Sequence, residues 1–256
     1  MLTEERHKLI IDILSKKGIV KINEFVSLTD TSESTIRRDL TYLESINALK
    51  RVHGGATLLN RSYTELSYNE KLDKNINEKS IIAEYAASLV QEGDCIYLDA
   101  GTTTFEMIKH MNKANIFVVT NGLKHLDALV EKGINAYILG GKVKAITKAI
   151  IGIDAVRSIE KFRFDKAFIG INGIHFNYGY TTPDIEEAAM KENAIKFSKE
   201  SFVLADDSKF GEITFCKVAE LNKASIITNA KVENYKIYKE KTKIKVVSED
   251  DLHNNL

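Results

Sequence analysis

Two rhythms of apolar residues divide the chain. Near the start, apolar positions recur at helical spacing in three short bursts. "EERHKLIIDILSKKG" sets Leu9, Ile10, Ile13 and Leu14 on one face, with Gly18 as a natural helix stop. "KINEFVSLTD" repeats the pattern over a shorter span, turning Ile22, Phe25, Val26 and Leu28 inward. After a turn through Asp30 and Thr31, Ser32 suits an N-cap, because its hydroxyl accepts from the exposed amides of a first turn. Behind it Ile36, Leu40, Leu43 and Ile46 or Asn47 form a third buried stripe. "LKRVHGGA" then reads as a short strand and a tight turn, with Gly54 and Gly55 supplying the positive φ angles.

Residues 57–75 break this pattern. They are polar, carry aromatics singly, and read as a connector packed in part against the second domain. From Ile76 the rhythm changes to apolar runs alternating with helical segments. "NEKSIIAEYAASLV", "TTTFEMIKHM", "LKHLDALVEKG", "GIDAVRSIEKF" and "PDIEEAAMKENAIKFSKE" read as helices. "DCIYLDAG", "IFVVTNG", "NAYILGGK", "DKAFIGING", "SFVLADDSKFG", "ASIITN" and "KIKVV" read as strands. Strands that are almost continuously apolar are buried on both faces, and their alternation with helices predicts a mostly parallel α/β sheet. The expected organisation is a helical head with a wing over 1–56, a connector over 57–75 and an α/β domain over 76–256.

Composition narrows the classes. A length of 256 residues suits one small head and one full α/β domain. A formal net charge of zero excludes a non-specific nucleic-acid coat. The first 56 residues hold nine Lys and Arg against eight Asp and Glu, a net of +1. Such a head binds DNA only through a local basic stripe, and two heads per site are expected. Cys95 and Cys216 lie far apart in apolar contexts and read as buried free thiols of a reducing compartment. The charged start "MLTEERHKLI" lacks a signal-peptide core, and no run reaches the length of a membrane span, so a cytoplasmic location is expected. The six histidines are scattered without metal-ligand spacing; no metal and no cofactor are expected.

The outer side of the third helix shows Ser34, Thr35, Arg37 and Arg38 beside Ser32. Hydroxyls and guanidinium groups at a helix start suit phosphates and base edges in a major groove. Arg51, His53 and Gly54 of the wing would reach backbone phosphates or a minor groove, although His53 reads equally well as a plain wing residue. Two adjacent arginines alone describe any charged surface helix. Three short helices followed by a Gly-Gly wing describe a winged helix-turn-helix. Asp39, close to the buried face, is expected to brace Arg37 or a neighbouring backbone group.

In open α/β sheets ligands sit beyond the carboxyl ends of the strands. "DAGTTT" (Asp99 to Thr104) follows a strand and opens a helix. Gly101 allows close backbone approach, and Thr102, Thr103 and Thr104 set hydroxyls beside free helix-start amides, an anion site. "TNG" (Thr120 to Gly122), "GGK" (Gly140 to Lys142), "GING" (Gly170 to Gly173) and "DDSKFG" (Asp206 to Gly211) end other strands. Singly each is ordinary turn chemistry. Five together, one of them anion-shaped, point to a polar small-molecule site. Pro183 is expected at the first position of a helix from Asp184 to Lys199, with Thr182 as N-cap and Asp184 and Glu186 in structural roles.

The segments "EERHKLIIDILSKKG", "SESTIRRDL", "YLE" and "RVHGGA" resemble the DNA-binding head of the DeoR family of bacterial transcriptional regulators. "DAGTTT", "VTNG", "LGG", "DKAFIGING", "EEAAMKENAI" and "DDSKFG" resemble its effector-sensing domain, which is related in fold to ribose-5-phosphate isomerase. The resemblance spans nearly the whole chain, the connector least. It implies a repressor whose partners are double-stranded operator DNA, a phosphorylated sugar and further copies of itself, as a dimer or tetramer. It implies that the "GTTT" loop holds the effector's phosphate. Asp99, Asn121, Gly140, Asn172, Glu187, Lys191, Asp206 and Lys209 would line the same site, meeting sugar hydroxyls, phosphate or one another. Within the family, "MLTEERHKLIIDIL" and "LTDTSESTIRRDL" look most like repressors of fructose-utilisation operons, which implies fructose 1-phosphate. Tagatose 6-phosphate and glycerol 3-phosphate stay open.

The related isomerases carry acidic residues after the strand matching "DKAFIG", where this chain has Gly170, Ile171, Asn172 and Gly173. A proton-abstracting base is missing there, so binding without turnover is expected. An isomerase-like enzyme using Asp99, Glu187 and Lys209 is the alternative. A plain adaptor would leave both the recognition helix and the "GTTT" loop without a purpose.

Overall fold

The residues that helical spacing turns inward close on one another as a separate core. Ile10, Ile13, Leu14, Phe25, Ile36, Leu40 and Leu43 are buried together with Val20, Ile22, Leu49 and Ala56. The computed structural model describes residues 3–17, 19–45, 48–52, 54–57 and 65–248. It divides into two compact units, Met1–Arg61 and Ser62–Leu256. The first runs α1 (Thr3–Lys17), β1 (Ile19–Lys21), α2 (Ile22–Thr29), α3 (Glu33–Ser45), β2 (Lys50–Val52) and β3 (Gly55–Thr57). Ser32 starts α3 as expected, its hydroxyl accepting from the Thr35 amide at 3.3 Å.

Three details of this unit differ from the pattern. A strand, β1, precedes α2 and completes an antiparallel sheet in the order β1-β3-β2. Leu28 is 48% exposed, and Thr29 turns inward instead, its hydroxyl donating to the Phe25 carbonyl at 2.7 Å. Gly54 has φ +77, but Gly55 lies in β3, where a Cβ would fall 2.2 Å from the Val20 carbonyl oxygen. Gly54 is there for its backbone angle and Gly55 for the approach of β1. Gly18, Ile46, Asn47 and His53 lie outside the described residues.

The second unit begins with α4 (Tyr68–Leu72), α5 (Ile76–Ser88), β4 (Cys95–Leu98), α6 (Thr102–His110), β5 (Phe117–Thr120), α7 (Leu123–Glu131) and β6 (Asn135–Ile138). It continues with β7 (Lys142–Lys144), β8 (Ala149–Ile151), α8 (Ile153–Ile159), β9 (Phe164–Gly170), β10 (Gly173–His175), β11 (Gly179–Thr182) and α9 (Ile185–Lys196). It ends with β12 (Ser198–Leu204), β13 (Cys216–Ala219), β14 (Ser225–Thr228), α10 (Tyr235–Lys241) and β15 (Ile244–Val246).

Seven strands form one parallel sheet in the order β15-β14-β12-β9-β4-β5-β6. Alternate residues feed two cores. Ile96, Leu98, Val118 and Phe168 meet Ile82, Ala86, Met107 and Ile108 of α5 and α6 on one face. Tyr97, Val119, Ala167 and Ile169 meet Ala155, Ile159, Met190 and Ala194 of α8 and α9 on the other. The chain builds outward from β4 to β5 and β6, then crosses to β9 and builds the opposite way. The order therefore reverses between β4 and β9, where an open sheet leaves a crevice at its carboxyl edge.

An antiparallel sheet, β10-β11-β13, and the hairpin β7–β8 are additions that the pattern missed. Their strands hold three or four residues, too few to display a period of two. Of the connector, residues 58–64 lie outside the described residues, while 65–75 belong to the second unit. There Ser67 and Glu70 form a reciprocal capping box that starts α4. Pro183 is not the first residue of α9, nor Thr182 its cap. The Asp184 carboxylate accepts the Glu186 and Glu187 amides at 2.8 and 3.0 Å, which makes Asp184 the N-cap. The helix ends at Lys196, and Ser198 to Glu200 already pair in β12. Cys216 is a buried free thiol, and Cys95 is free but only half-buried. Among the described residues no helix is long and apolar enough to cross a membrane.

Candidate functional site

The outer face of α3 is open. Ser32, Ser34, Arg37 and Arg38 are exposed, and Thr35 is half-buried. The Ser32 hydroxyl lies 3.0 Å from that of Ser34 and 2.9 Å from that of Thr35. Arg37 is held by Glu33 at 2.6 and 2.8 Å, whereas Arg38 has no polar partner among the described residues. Arg51 lies at the edge of the wing. Its guanidinium donates to Thr41 at 2.7 Å and its amide to Glu44 at 2.8 Å, which ties β2 to α3. Gly54 is exposed at the turn, and the wing residue His53 is outside the described set.

Asp39 does not brace Arg37. It is buried and accepts Arg6 Nε at 2.6 Å and Arg6 Nη2 at 3.1 Å, with His7 Nε2 at 3.0 Å. Burial alone would raise its pKa, but the bonds from Arg6 and His7 outweigh it and hold the carboxyl below its ordinary value. The spacing of α3 put Asp39 near the core, but nothing local names a partner on α1. Tyr42, which the pattern passed over, stands 53% exposed on α3 and stacks on His7 at 5.1 Å.

The second site gathers at the sheet's reversal point. Asp99 follows β4, and its Oδ2 accepts Lys191 Nζ at 2.5 Å and the Gly170 amide at 3.1 Å. Lys191 is buried on α9. Burial would lower its pKa, but Asp99 and Glu187 outweigh that and keep it charged. Gly101 and Gly170 face each other across the crevice, each Cβ position falling 3.7 Å from the other's Cα. Thr102 and Thr103 open α6 with hydroxyls bonded to no described residue. The first-turn amides of a helix likewise lack internal acceptors.

Two of the expected ligand residues are committed elsewhere. The Thr104 hydroxyl is fully buried; it accepts the Gly101 amide at 3.0 Å, donates to the Asp99 carbonyl at 2.5 Å, and lies 3.1 Å from His125 Nε2. Burial pushes His125 down to about 3, so it stays neutral. Asn121 accepts the Ala100 amide at 2.9 Å and donates to the Ile150 carbonyl at 3.2 Å, fastening hairpin β7–β8 to the loop. Both side chains hold the loop that carries the site. Gly140 is exposed, with open space where a Cβ would stand. Asn172 accepts the Thr182 hydroxyl at 3.0 Å. Asp206 caps a short turn through the Ser208 amide at 3.0 Å and lies 4.0 Å from Lys209 Nζ.

Charges that the pattern did not single out complete the cluster. Lys144, on the hairpin, meets Glu65 at 2.5 Å and both Asp184 and Glu187 at 3.0 Å. Thr147 donates to Glu187 at 2.7 Å. Burial alone would lower the pKa of Lys144, and the carboxylates drive it well above its usual value. Lys79 of α5 is buried and donates to the Lys71 carbonyl. Burial lowers its pKa, a drop that the charge of Asp206 opposes and that of Lys209 adds to. Among the described residues no group of three or more His, Cys, Asp or Glu could hold a metal ion. The open groove at the amino ends of β12, β14 and β15 lies at the opposite edge of the sheet. Its Lys199 and Lys241 are engaged by Asp165 and the Phe176 carbonyl.

Each of the two units matches a known domain family. Residues 6–62 match the DeoR-like helix-turn-helix domain, and residues 74–230 match the DeoR C terminal sensor domain. The HTH-type transcriptional regulator FruR of Bacillus subtilis (strain 168) is 54% identical over 96% of this chain and 99% of its own length. The lactose phosphotransferase system repressor of Streptococcus mutans is 36% identical over 89% and 92%. Among solved structures, ribose 5-phosphate isomerase A of Methanocaldococcus jannaschii aligns with a TM-score of 0.40 at 17% identity, covering 54% of this chain and 55% of that one. The sequence relatives are named for regulation, so the chain is a regulator and not an enzyme. Both family domains are matched in order, and one relative is more than half identical along almost the whole chain; this protein belongs to the DeoR family of bacterial transcriptional regulators.

Proposed function

We propose that the protein is a cytoplasmic repressor of a sugar-utilisation operon. It holds double-stranded operator DNA through its head and lets go when a phosphorylated sugar binds the second unit. The observation that carries this reading is the helix start Thr102–Thr103, with uncommitted hydroxyls and first-turn amides at the reversal point of the sheet. A dianionic phosphate satisfies those donors and the helix dipole together. Lys79 and Lys209 supply counter-charge, and Asn172, Glu187 and Asp206 meet sugar hydroxyls. On the DNA side, Arg38 contacts the groove, flanked by Ser32, Ser34, Thr35 and Arg37, with Arg51 and Gly54 at the wing. A head of net +1 needs a second copy, so the protein acts as a dimer or tetramer.

Fructose 1-phosphate is the effector supported by the resemblance of residues 1–14 and 28–40 to fructose-operon repressors. The relative from Streptococcus mutans is named as a repressor of a sugar phosphotransferase system, which agrees with a sugar signal. The test is a thermal-shift screen of sugar phosphates against their unphosphorylated parents, paired with operator release. A ligand of the folded state raises its melting temperature by mass action. Fructose 1-phosphate is expected to stabilise and release, and fructose to do neither. Equal response to both would overturn the phosphate site. A response to tagatose 6-phosphate or glycerol 3-phosphate alone would change the effector and keep the site.

A further inference from the structure

Glu65 is the first described residue after the division at Arg61. It is buried, and both carboxylate oxygens are taken, by Lys71 Nζ at 2.7 Å and by Lys144 Nζ at 2.5 Å. Burial would raise its pKa, and the two lysines hold it below its ordinary value. Tyr68, one turn on, donates its amide to the Ile146 carbonyl of the β7–β8 hairpin at 2.8 Å. Its ring meets Phe105 of α6 edge-on at 6.3 Å, and Phe105 meets His125 at 5.7 Å. Lys79 reaches the Lys71 carbonyl. The segment that leads out of the head is thus fastened to the two elements that form the candidate effector site. Lys144 ties it to Glu187 of α9, and Phe105 ties it to the "GTTT" helix.

We propose that residues 65–72 are the strap that carries the effector signal toward the head, and that Lys144 is its switch. The proposal rests on the sugar-phosphate function proposed for the second unit. Without effector, the strap is docked through Glu65. An ammonium has three donors, and those of Lys144 face three carboxylates. A sugar hydroxyl that meets Glu187 comes within reach of Lys144, which stands 3.0 Å from that carboxylate; it adds an acceptor there, and one of the three carboxylates must yield. Asp184 is fixed as the N-cap of α9 and Glu187 lies within that helix, whereas Glu65 precedes the five-residue α4. Glu65 is the partner that gives way. A ligand shifts such an equilibrium only through its different affinity for the two arrangements, and competition for Lys144 provides that difference.

The experiment compares full-length wild type with Glu65→Gln. Operator affinity is read with and without fructose 1-phosphate, and effector affinity is measured separately. In the wild type the effector should change operator affinity by about 5–150-fold, the usual range of allosteric coupling. In Glu65→Gln the effector-free operator affinity should fall to near the effector-bound level, and added effector should change it by less than about threefold, while effector binding persists. Amide exchange of the wild type is a second measure: the Tyr68 amide should exchange faster once effector is bound. Wild-type release in Glu65→Gln, or unchanged Tyr68 protection, overturns the strap alone. A wild type that binds no sugar phosphate overturns the effector reading and the strap with it.

Discussion

Arg6 and Asp39, 33 positions apart, form a two-pronged ion pair in the head, Nε to Oδ2 at 2.6 Å and Nη2 to Oδ1 at 3.1 Å. It fixes α1 against α3, the helix whose other face is the proposed DNA contact. A charge left buried without its partner is costly. Arg6→Ala should therefore destabilise the head by about 1.5–3 kcal/mol, read as faster amide exchange along α3. The pair also sets a pH dependence. The folded-state pKa of Asp39 is depressed, so its contribution is complete above the ordinary aspartate value of about 3.9 and fades as pH falls through the lower folded value. The stability gap between wild type and Asp39→Asn should be constant near neutrality and shrink below about pH 4.

Arg38 and Arg37 are neighbours with different commitments. Glu33 holds Arg37, while Arg38 is free among the described residues. Arg38→Ala should weaken operator binding and reduce the slope of log affinity against log salt by about one, without changing the melting temperature. Unchanged operator affinity at both low and high salt would remove Arg38 from the interface.

Thr103 and Thr104 are adjacent hydroxyls with opposite expected phenotypes. Thr103→Val removes an uncommitted donor at nearly constant volume. The fold should survive, and effector affinity should fall roughly ten- to a hundredfold, giving a repressor that no longer releases. Thr104→Val strands the Gly101 amide and breaks the link to His125, so it should lower stability by about 1–3 kcal/mol. Calorimetric titration and thermal unfolding of the two variants separate the roles; unchanged effector affinity in Thr103→Val would remove that hydroxyl from the site.

The two wing glycines should also separate. Gly54→Ala places a side chain at φ +77, at a cost of about 1–2 kcal/mol, with open space around it. Gly55→Ala drives a Cβ against the Val20 carbonyl, which belongs to a paired backbone and cannot step aside, so a loss of about 3 kcal/mol or more is expected. Operator binding should fall further in Gly55→Ala than in Gly54→Ala, and the reverse order would reject the close approach of β1 and β3.

What the sequence determined by itself was local. Ile36, Leu40 and Leu43 mark a helix because three or four residues make a turn, and "CIYL" or "FVVT" mark buried strands because the run is short and apolar. The two-part organisation, the winged head and the anion-shaped "GTTT" start all rest on such near-neighbour rules. Tertiary structure alone decided the rest. Strand order put Asp99 and Gly170 on either side of the reversal point, and no period in the chain encodes which strand lies beside which. It paired Asp99 with Lys191, 92 residues away, and gathered Glu65, Asp184 and Glu187 around Lys144. It also spent Thr104 and Asn121 on holding the loop. Each of these is a contact between groups far apart in the chain. A side chain's identity says what it can bond; only the folded backbone says what stands within 3 Å of it.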